Sequence, residues 1–180
     1  MGKDLLLIID MQNVYLPQYP WACPSVYRTI QNIKLLLDSG IPAVFTRFVP
    51  PKSIGTWENY NEKYSDINSD KYLGDIIPEL KLYTEKYAVY DKSVYSSWTD
   101  EVKKEAQAYQ RIVLCGVVAE CCVLSTLLSV IDSGKEIVYL TDCISGKNAE
   151  SEQIVERIAE NFSPIHVKTM ETKEILSPLS

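Results

Sequence analysis

Two adjacent thiols, Cys121 and Cys122, are the groups in this sequence best placed to do chemistry. They follow a short apolar run and a Gly116-Val117-Val118 corner, and a second apolar stretch with helical spacing comes after them. This pattern predicts a buried strand that turns sharply into a helix, a common place for a reactive group in α/β proteins. The helix dipole is expected to lower a thiol's pKa there and to favour an anion beside it. Alternatively, both cysteines pack as small hydrophobic residues.

The composition is that of an ordinary globular protein, with 46% hydrophobic and 23% charged residues among 180. The net charge of −6 and the pI near 4.9 argue against binding to nucleic acid or to a membrane surface. No apolar run approaches the roughly 18 residues that span a bilayer, and the N-terminal apolar run is too short for a signal peptide. A cytoplasmic protein with one domain, residues 1–180, is therefore expected.

Metal and disulfide chemistry are not favoured. The five cysteines are odd in number and lack disulfide or zinc-site spacing, which is typical of reduced cytosolic thiols. The sole histidine is His166, so a metal site built on imidazole is not expected. The sequence predicts no cofactor.

Apolar periodicity predicts alternating strands and helices. The expected strands are Leu5–Ile9, Ile41–Phe48, Tyr87–Tyr90, 112–115, Glu136–Leu140 and Ile165–Val167. The expected helices are Val26–Leu37, Thr99–Tyr109, Val123–Ile131 and Ala149–Asn161. Such alternation indicates an α/β fold, a three-layer doubly wound sheet of about six parallel strands. The segment Pro50–Lys71 is rich in Pro, Gly, Ser and aromatic residues and is interpreted as a long functional loop.

Three ionisable residues fall at the carboxyl ends of predicted strands, where open parallel sheets collect their active sites. They are Asp10, Lys92 and Cys122. A carboxylate can take the proton of a thiol, and a lysine between them would hold the carboxylate's charge and stabilise a developing anion. Separately, Asp10 could cap a turn and Lys92 could be a solvated charge.

The segments around these residues are similar to the isochorismatase-like cysteine hydrolases. The likeness covers LLLIIDMQN around Asp10, the second strand VFTR, YDKSVYSSW around Lys92 and CGVVAECCV around Cys122. It extends over nearly the whole chain. That family includes nicotinamidases, N-carbamoylsarcosine amidases, ureidoacrylate amidohydrolases and isochorismatases.

The resemblance implies roles for the matching positions. Asp10 is the general base, Lys92 its electrostatic partner, and Cys122, six residues after Gly116, the nucleophile in preference to Cys121. It also implies a cis peptide bond between Val117 and Val118, with the Val118 and Cys122 N–H groups facing an oxyanion. A homo-oligomer is implied as well.

Three departures from the family narrow the function. Thr46-Arg47-Phe48 stands where nicotinamidases have metal-binding residues, which argues against a metal-dependent nicotinamidase. The family members that cleave a vinyl ether do not use a cysteine nucleophile, so Cys122 favours amide or ureide hydrolysis. Ala119 stands where many members carry Thr or Ser, which affects how the turn is hydrogen-bonded.

A second set of residues is expected to bind the substrate, with Arg47 pairing with a carboxylate and aromatic rings enclosing a planar group. The set is Arg47, Phe48, Trp57, Tyr60, Tyr95, Trp98 and Gln12. The alternative is that the aromatic residues fill the core and subunit contacts. Gln12, Asn13 and Tyr15 are candidates for orienting Asp10, or only cap the turn, whereas His166 and Cys143 are expected to be structural.

The function predicted from these residues is a metal-independent cysteine amidohydrolase that cleaves a C–N bond in a small, non-peptide amide or ureide through a thioester. The alternatives are an isochorismatase-type hydrolase without covalent catalysis and a catalytically idle binding module of the same fold.

Overall fold

The computed structural model describes residues 2–177 and contains one six-stranded, all-parallel sheet. Its strands are β1 (Gly2–Ile9), β2 (Ala43–Phe48), β3 (Val89–Lys92), β4 (Tyr109–Val117), β5 (Glu136–Ser145) and β6 (Val167–Met170). They lie in the order β3-β2-β1-β4-β5-β6. The predicted doubly wound α/β fold is confirmed.

Helices connect the strands. They are α1 (Val26–Asp38), α2 (Thr56–Lys63), α3 (Ser65–Ser69), α4 (Pro78–Lys81), α5 (Asp100–Ala106), α6 (Leu124–Asp132), α7 (Ala149–Asn161) and α8 (Thr172–Leu176). Short 3₁₀ turns occur at Asn13–Tyr15 and Leu82–Glu85, and a π-type turn at Ala119–Val123 leads into α6. Among these residues no helix is long and apolar enough to cross a membrane.

Both faces of the sheet are buried, because successive side chains of a strand point to opposite faces. In β1, Leu6 and Ile8 pack with α1, whereas Leu5, Leu7 and Ile9 pack in a second core that includes residues of α5, α6 and α7. The unbroken apolar runs of the strands follow from this double burial.

The strand order reverses between β1 and β4, and a crevice at the carboxyl ends of such strands is the usual ligand site of an open α/β sheet. Gly116 lies opposite Ile9 across these strands, with φ of +113°. A Cβ on Gly116 would stand 2.2 Å from the Ile9 carbonyl oxygen, so only glycine fits. This close approach brings Asp10, directly after β1, beside the turn that follows β4.

The structure corrects several predicted boundaries. The segment Pro50–Lys71 is not an irregular loop, because α2 and α3 lie within it. Neither helix buries a residue fully, so neither has the apolar stripe that would have revealed it. Tyr109 belongs to β4, where it pairs with Gly2, rather than to the preceding helix. The last strand starts at Val167, not at Ile165.

Candidate active site

Asp10, Lys92 and Cys122 meet at the carboxyl end of the sheet. The Lys92 Nζ lies 2.7 Å from Asp10 Oδ2 and 3.6 Å from Cys122 Sγ. The side chains of Asp10 and Lys92 are 0% exposed, and Cys122 is 3% exposed. A buried charge pair needs further partners to offset its lost hydration, so the surrounding hydrogen bonds define the site.

Lys92 has a partner for each of its three N–H bonds. It donates to the carbonyl oxygens of Val94 and Tyr95, both at 3.0 Å, and to the sulfur of Cys122. Its contact with Asp10 Oδ2 is an ion pair without the alignment of a hydrogen bond, and Oδ2 accepts no hydrogen bond from the described residues. One lone pair of the carboxylate is therefore open inside the site.

Asp10 is held in an uncommon backbone conformation, with φ of +50°. Its N–H donates to the Thr46 carbonyl at 3.1 Å, and its carbonyl accepts from the Gln12 N–H at 2.7 Å. The Thr46 hydroxyl donates to Asp10 Oδ1 at 3.0 Å. The carboxylate is thus fixed from β2 on one side and from Lys92 on the other.

The pKa of Cys122 is raised well above its ordinary value, chiefly by burial and next by the negative charge of Asp10, while Lys92 acts in the opposite direction. The expected lowering of a thiol pKa by the helix terminus is therefore wrong for this residue. Cys122 sits in the π-type turn ahead of α6, and desolvation outweighs the dipole there. The resting group is a protonated thiol, which needs a base.

The turn that carries Cys122 begins with a cis peptide bond between Val117 and Val118. The Val118 N–H makes no hydrogen bond with any residue from 2 to 177. The Val118 carbonyl instead accepts from the Cys121 and Val123 N–H groups at 3.0 and 3.1 Å. A donor without a partner at the mouth of the turn is what an oxyanion site requires.

A cavity of about 260 Å³ opens above Cys122. It is lined by Tyr15, Trp21, Phe48, Tyr60, Tyr64, Tyr95, Val118, Glu120, Cys121, Cys122 and Lys147. Phe48 stacks on Tyr95 with an interplanar angle of 11°, and the ammonium of Lys92 lies 5.1 Å from the Phe48 ring centre. The cavity therefore has aromatic walls, and of the three residues Asp10, Lys92 and Cys122 only Cys122 lines it. Asp10 and Lys92 are fully buried behind Cys122, and these three residues are called the floor below.

Of the predicted substrate-binding residues, Phe48, Tyr60 and Tyr95 lie in the cavity wall. Trp57 stands behind them. Its ring packs 5.3 Å from both Tyr60 and Tyr95 without lining the cavity. Trp57 therefore supports the wall that these rings form.

Arg47 does not face the cavity, so its predicted role in binding a carboxylate there is wrong. Side chains alternate along β2, and Arg47 points away from the wall that Phe48 joins. Its guanidinium forms a two-pronged ion pair with Asp91 on β3, at 2.7 and 2.8 Å. A separate depression on the surface contains this pair.

Gln12 and Trp98 are also outside the cavity lining. The Gln12 amide donates to the Phe48 and Gly74 carbonyls, and its oxygen accepts from the Phe48 N–H. These bonds anchor the backbone of Phe48, so Gln12 holds the wall rather than the ligand. Trp98 is buried in the core on the α5 side of the sheet.

Trp21, Glu120 and Lys147 also line the cavity and were not predicted from the sequence. Tyr64 was predicted only as part of the functional loop, and Tyr15 only as a support for Asp10. Trp21 packs edge-on against Tyr64, with centroids 5.3 Å apart. The pKa of Tyr15 is raised, first by burial and then by the nearby Cys122 and Asp10, so its phenol stays protonated. The high content of aromatic residues in the N-terminal part of the sequence was the one feature that could have indicated this part of the cavity wall.

Glu120 and Lys147 stand together at the cavity mouth. Both carboxylate oxygens of Glu120 accept from the backbone N–H of Lys147, at 3.2 and 3.3 Å. The Lys147 side chain is exposed. Among the described residues no carboxylate lies within ion-pair distance of its amine.

A metal site of the nicotinamidase kind does not fit the donors at the end of β2. The Thr46 hydroxyl is committed to Asp10 and Ser97, Arg47 is a cation, and Phe48 is apolar. His166 precedes β6, at the opposite end of the sheet. In residues 2–177 no three His, Cys, Asp or Glu side chains form a metal-binding group.

The open six-stranded parallel sheet is the fold of the isochorismatase-like hydrolases. The chain belongs to the isochorismatase family, whose domain model matches residues 4–167. Two relatives are named isochorismatase domain-containing protein 2. The Xenopus laevis protein is 33% identical over 81 residues, which cover 43% of this chain and 38% of that protein. The Danio rerio protein is 24% identical over 151 residues, which cover 81% and 64%. Less than two thirds of either relative is matched.

Solved structures share the fold. An isochorismatase-like hydrolase from Alkaliphilus metalliredigens superposes with a TM-score of 0.77 at 20% identity, covering 97% of this chain and 98% of that one. A cysteine hydrolase from Pseudomonas syringae gives 0.80 at 15% identity, with 97% and 91% covered. A nicotinamidase from Bacillus subtilis gives 0.73 at 17% identity, with 94% and 99% covered.

Proposed function

We propose that this isochorismatase-family hydrolase is a cysteine amidohydrolase that cleaves a C–N bond in a small non-peptide amide or ureide through a thioester. One observation carries the proposal. The Cys122 thiol lines a cavity sized for a small molecule, and it lies against a buried lysine ammonium that is paired with a carboxylate oxygen free of hydrogen bonds among the described residues.

The first step is transfer of the Cys122 proton to Asp10. The raised pKa of Cys122 keeps its thiol protonated, and Asp10 Oδ2 is the acceptor without a hydrogen bond. Lys92 already donates to the Cys122 sulfur, so the thiolate forms next to a cation. The charge moves from carboxylate to sulfur while the ammonium between them keeps contact with both.

The thiolate then attacks the substrate carbonyl carbon, and the carbonyl oxygen becomes an oxyanion. The Val118 N–H, which has no partner among the described residues, and the Cys122 N–H would bind that oxygen. Asp10 returns its proton to the leaving nitrogen as the C–N bond breaks, which leaves a thioester on Cys122. Water then loses a proton to Asp10 and attacks the thioester, releasing an acid and regenerating the thiol.

The cavity favours small planar substrates. A volume of about 260 Å³ between aromatic faces suits a flat carboxamide or ureide of a few to a dozen heavy atoms. Tyr15 lines this space and stays protonated because burial raises its pKa, so its hydroxyl is a donor for a substrate heteroatom. Peptides and polymers would exceed the cavity.

Lys147 takes over the role that the sequence suggested for Arg47. It is the exposed cation at the cavity mouth, and no carboxylate neutralises it within the described part of the chain. The carboxylate of the adjacent Glu120 accepts a hydrogen bond from the Lys147 backbone N–H, which holds it next to the lysine. A substrate carboxylate would pair with Lys147 and keep away from Glu120.

A screen of small amides and ureides, scored by ammonia release, tests the function. The proposal requires turnover of at least one carboxamide or carbamoyl compound and none of a peptide. An idle binding module would turn over nothing and have a thiol of ordinary reactivity. A hydrolase without covalent catalysis would keep its activity in Cys122→Ala. A homo-oligomer stays a prediction from the family resemblance.

A further inference from the structure

Buried hydrogen bonds through Thr46, Ser97 and Thr126 connect Asp10 to the turn that carries Cys122. Thr46 Oγ1 lies 3.0 Å from Asp10 Oδ1 and 2.8 Å from Ser97 Oγ. The Ser97 N–H donates to Thr126 Oγ1 at 2.8 Å, and Thr126 Oγ1 donates to the Cys122 carbonyl at 2.6 Å. Thr46, Ser97 and Thr126 are each 0% exposed, so water does not compete for these bonds.

Counting hydrogens fixes the direction of these hydrogen bonds. An ionised carboxylate only accepts hydrogen bonds, and a threonine hydroxyl has a single hydrogen. Thr46 therefore donates that hydrogen to Asp10 Oδ1, and Ser97 must donate to Thr46. The two oxygens of Asp10 are thus unequal, because Oδ1 is occupied by a hydroxyl and Oδ2 has no hydrogen-bond donor among the described residues.

We propose that Thr46 is a positioning residue that decides which oxygen of Asp10 receives the proton of Cys122. The hydroxyl keeps Oδ1 as an acceptor, which leaves Oδ2, the oxygen beside Lys92, to take the proton. Ser97 holds the Thr46 hydroxyl in that direction. This inference rests on the proposed function, in which Asp10 is the base.

Thr46 also stabilises the charged form of Asp10, since a hydrogen bond to a carboxylate favours ionisation. The charged and titratable groups that face Asp10 are Lys92 from β3, Cys122 from the π-type turn and Tyr15 from the 3₁₀ turn. Tyr15 stays neutral because its pKa is raised by burial. Asp10 and Cys122 are therefore the pair between which the proton moves in the proposed mechanism.

The test uses iodoacetamide, so it needs no knowledge of the substrate. The rate of Cys122 alkylation is measured from about pH 4 to pH 10, a range spanning the ordinary values of a carboxyl and a thiol. A Cys121→Ala background removes the exposed neighbouring thiol. If Asp10 and Cys122 share one proton, the rate of Cys122 alkylation falls at low pH, where Asp10 is also protonated. The rate is constant near neutral pH and rises again at high pH, where the pair loses its last proton.

Thr46→Val should move the low-pH fall to higher pH by about one unit, the usual effect of a hydrogen bond to a charged group. The high-pH rise should move much less, because it reports mainly the loss of the proton from Cys122, which Thr46 does not contact. Thr46→Ser should restore the wild-type profile, and Ser97→Ala should shift the fall by less than Thr46→Val. If Thr46→Val does not fold, Thr46→Ala replaces it.

The inference is overturned if the low-pH fall in alkylation rate is at the wild-type pH in Thr46→Val or Thr46→Ala. It is also overturned if the low-pH fall and the high-pH rise move by the same amount. Asp10→Asn separates this failure from a failure of the proposed function. Without the carboxylate, the flat region should vanish and the rate should rise tenfold per pH unit up to the thiol pKa. A flat region that persists in Asp10→Asn overturns the assignment of Asp10 as the base, and with it the proposed function.

Discussion

The floor and the walls of the cavity are built on different physical principles. On the floor, Asp10 and Lys92 come from strand ends, are fully buried, and are fixed by ion pairs and hydrogen bonds. The walls are aromatic rings such as Tyr60 and Tyr64, which are half-buried and held by ring contacts, here 4.9 Å between centroids. Buried charges held in fixed positions can stabilise the charges that form during a reaction. Packed aromatic rings form an apolar surface against which different planar ligands can pack. Changes to the floor should therefore alter rate, and changes to the walls should alter which substrate is bound.

The two adjacent cysteines give the largest expected contrast, because one belongs to the floor and the other to the rim. Cys122 is buried beside Lys92, whereas Cys121 is exposed. Cys122→Ala should lower kcat by several orders of magnitude, as the loss of a nucleophile commonly does. Cys121→Ala should keep most of the activity. Comparable activity in both variants would place the nucleophile elsewhere.

Removing the cation from the floor should come next in effect. Lys92→Met leaves Asp10 buried without a countercharge, and breaking a buried pair destabilises a protein by about 3–5 kcal/mol. A buried unpaired carboxylate also takes up a proton and no longer serves as a base, so the rate should drop roughly 10²–10⁴-fold. The free energy of unfolding measures the loss of stability, and turnover at neutral pH measures the loss of rate.

The same variant has a pH signature. Burial and Asp10 raise the pKa of Cys122 and Lys92 lowers it, so removing Lys92 raises this pKa further. The high-pH rise in Cys122 alkylation should therefore move to higher pH. The double variant Asp10→Asn, Lys92→Met is the control for charge: it should recover stability and stay inactive. Near wild-type turnover in Lys92→Met would make the lysine dispensable.

Two cations near the cavity allow a residue that lines it to be compared with one that does not. Lys147 lies at the mouth without an ion-pair partner among residues 2–177, whereas Arg47 is neutralised by Asp91 on the far side of β2. Lys147→Met should raise KM about three- to tenfold for substrates that carry a carboxylate, and little for neutral ones, as expected for one exposed charge pair. Arg47→Met should not discriminate between them. Equal losses for anionic and neutral substrates in Lys147→Met would show that the lysine does not bind the ligand.

Chelation should have the smallest effect. The donors at the end of β2 are a committed hydroxyl, a cation and a phenyl ring, and the sole histidine of the chain precedes β6. Turnover should survive prolonged treatment with a chelator, measured by ammonia release. Loss of activity that one divalent ion restores would contradict this expectation.

The sequence predicted the floor better than the walls, for a physical reason. Asp10 follows the long apolar run of β1, and Lys92 ends the short strand β3. Parallel strands bring their carboxyl ends to the same edge of the sheet whatever lies between them. Because β2 lies between β1 and β3, the 2.7 Å contact between Lys92 and Asp10 also depends on the length of the lysine side chain. The cis bond at Val117 matches the expectation from family resemblance.

The walls depend on contacts between segments with no periodic signal. Trp21 meets Tyr64 across 43 positions of sequence, and neither lies in a strand. Arg47 could have been assigned better, since alternation along β2 puts it and Phe48 on opposite faces. The raised pKa of Cys122 was hidden because the sequence does not show how deeply a turn is buried.

Titration of Cys122 against activity tests the central claim most directly. Enzyme carrying Cys121→Ala is treated with limiting iodoacetamide, and the carboxamidomethyl content of Cys122 is read by mass spectrometry beside the rate of ammonia release. Covalent catalysis predicts a straight line that reaches zero activity at one equivalent on Cys122. Activity that persists when Cys122 is fully alkylated would contradict the account.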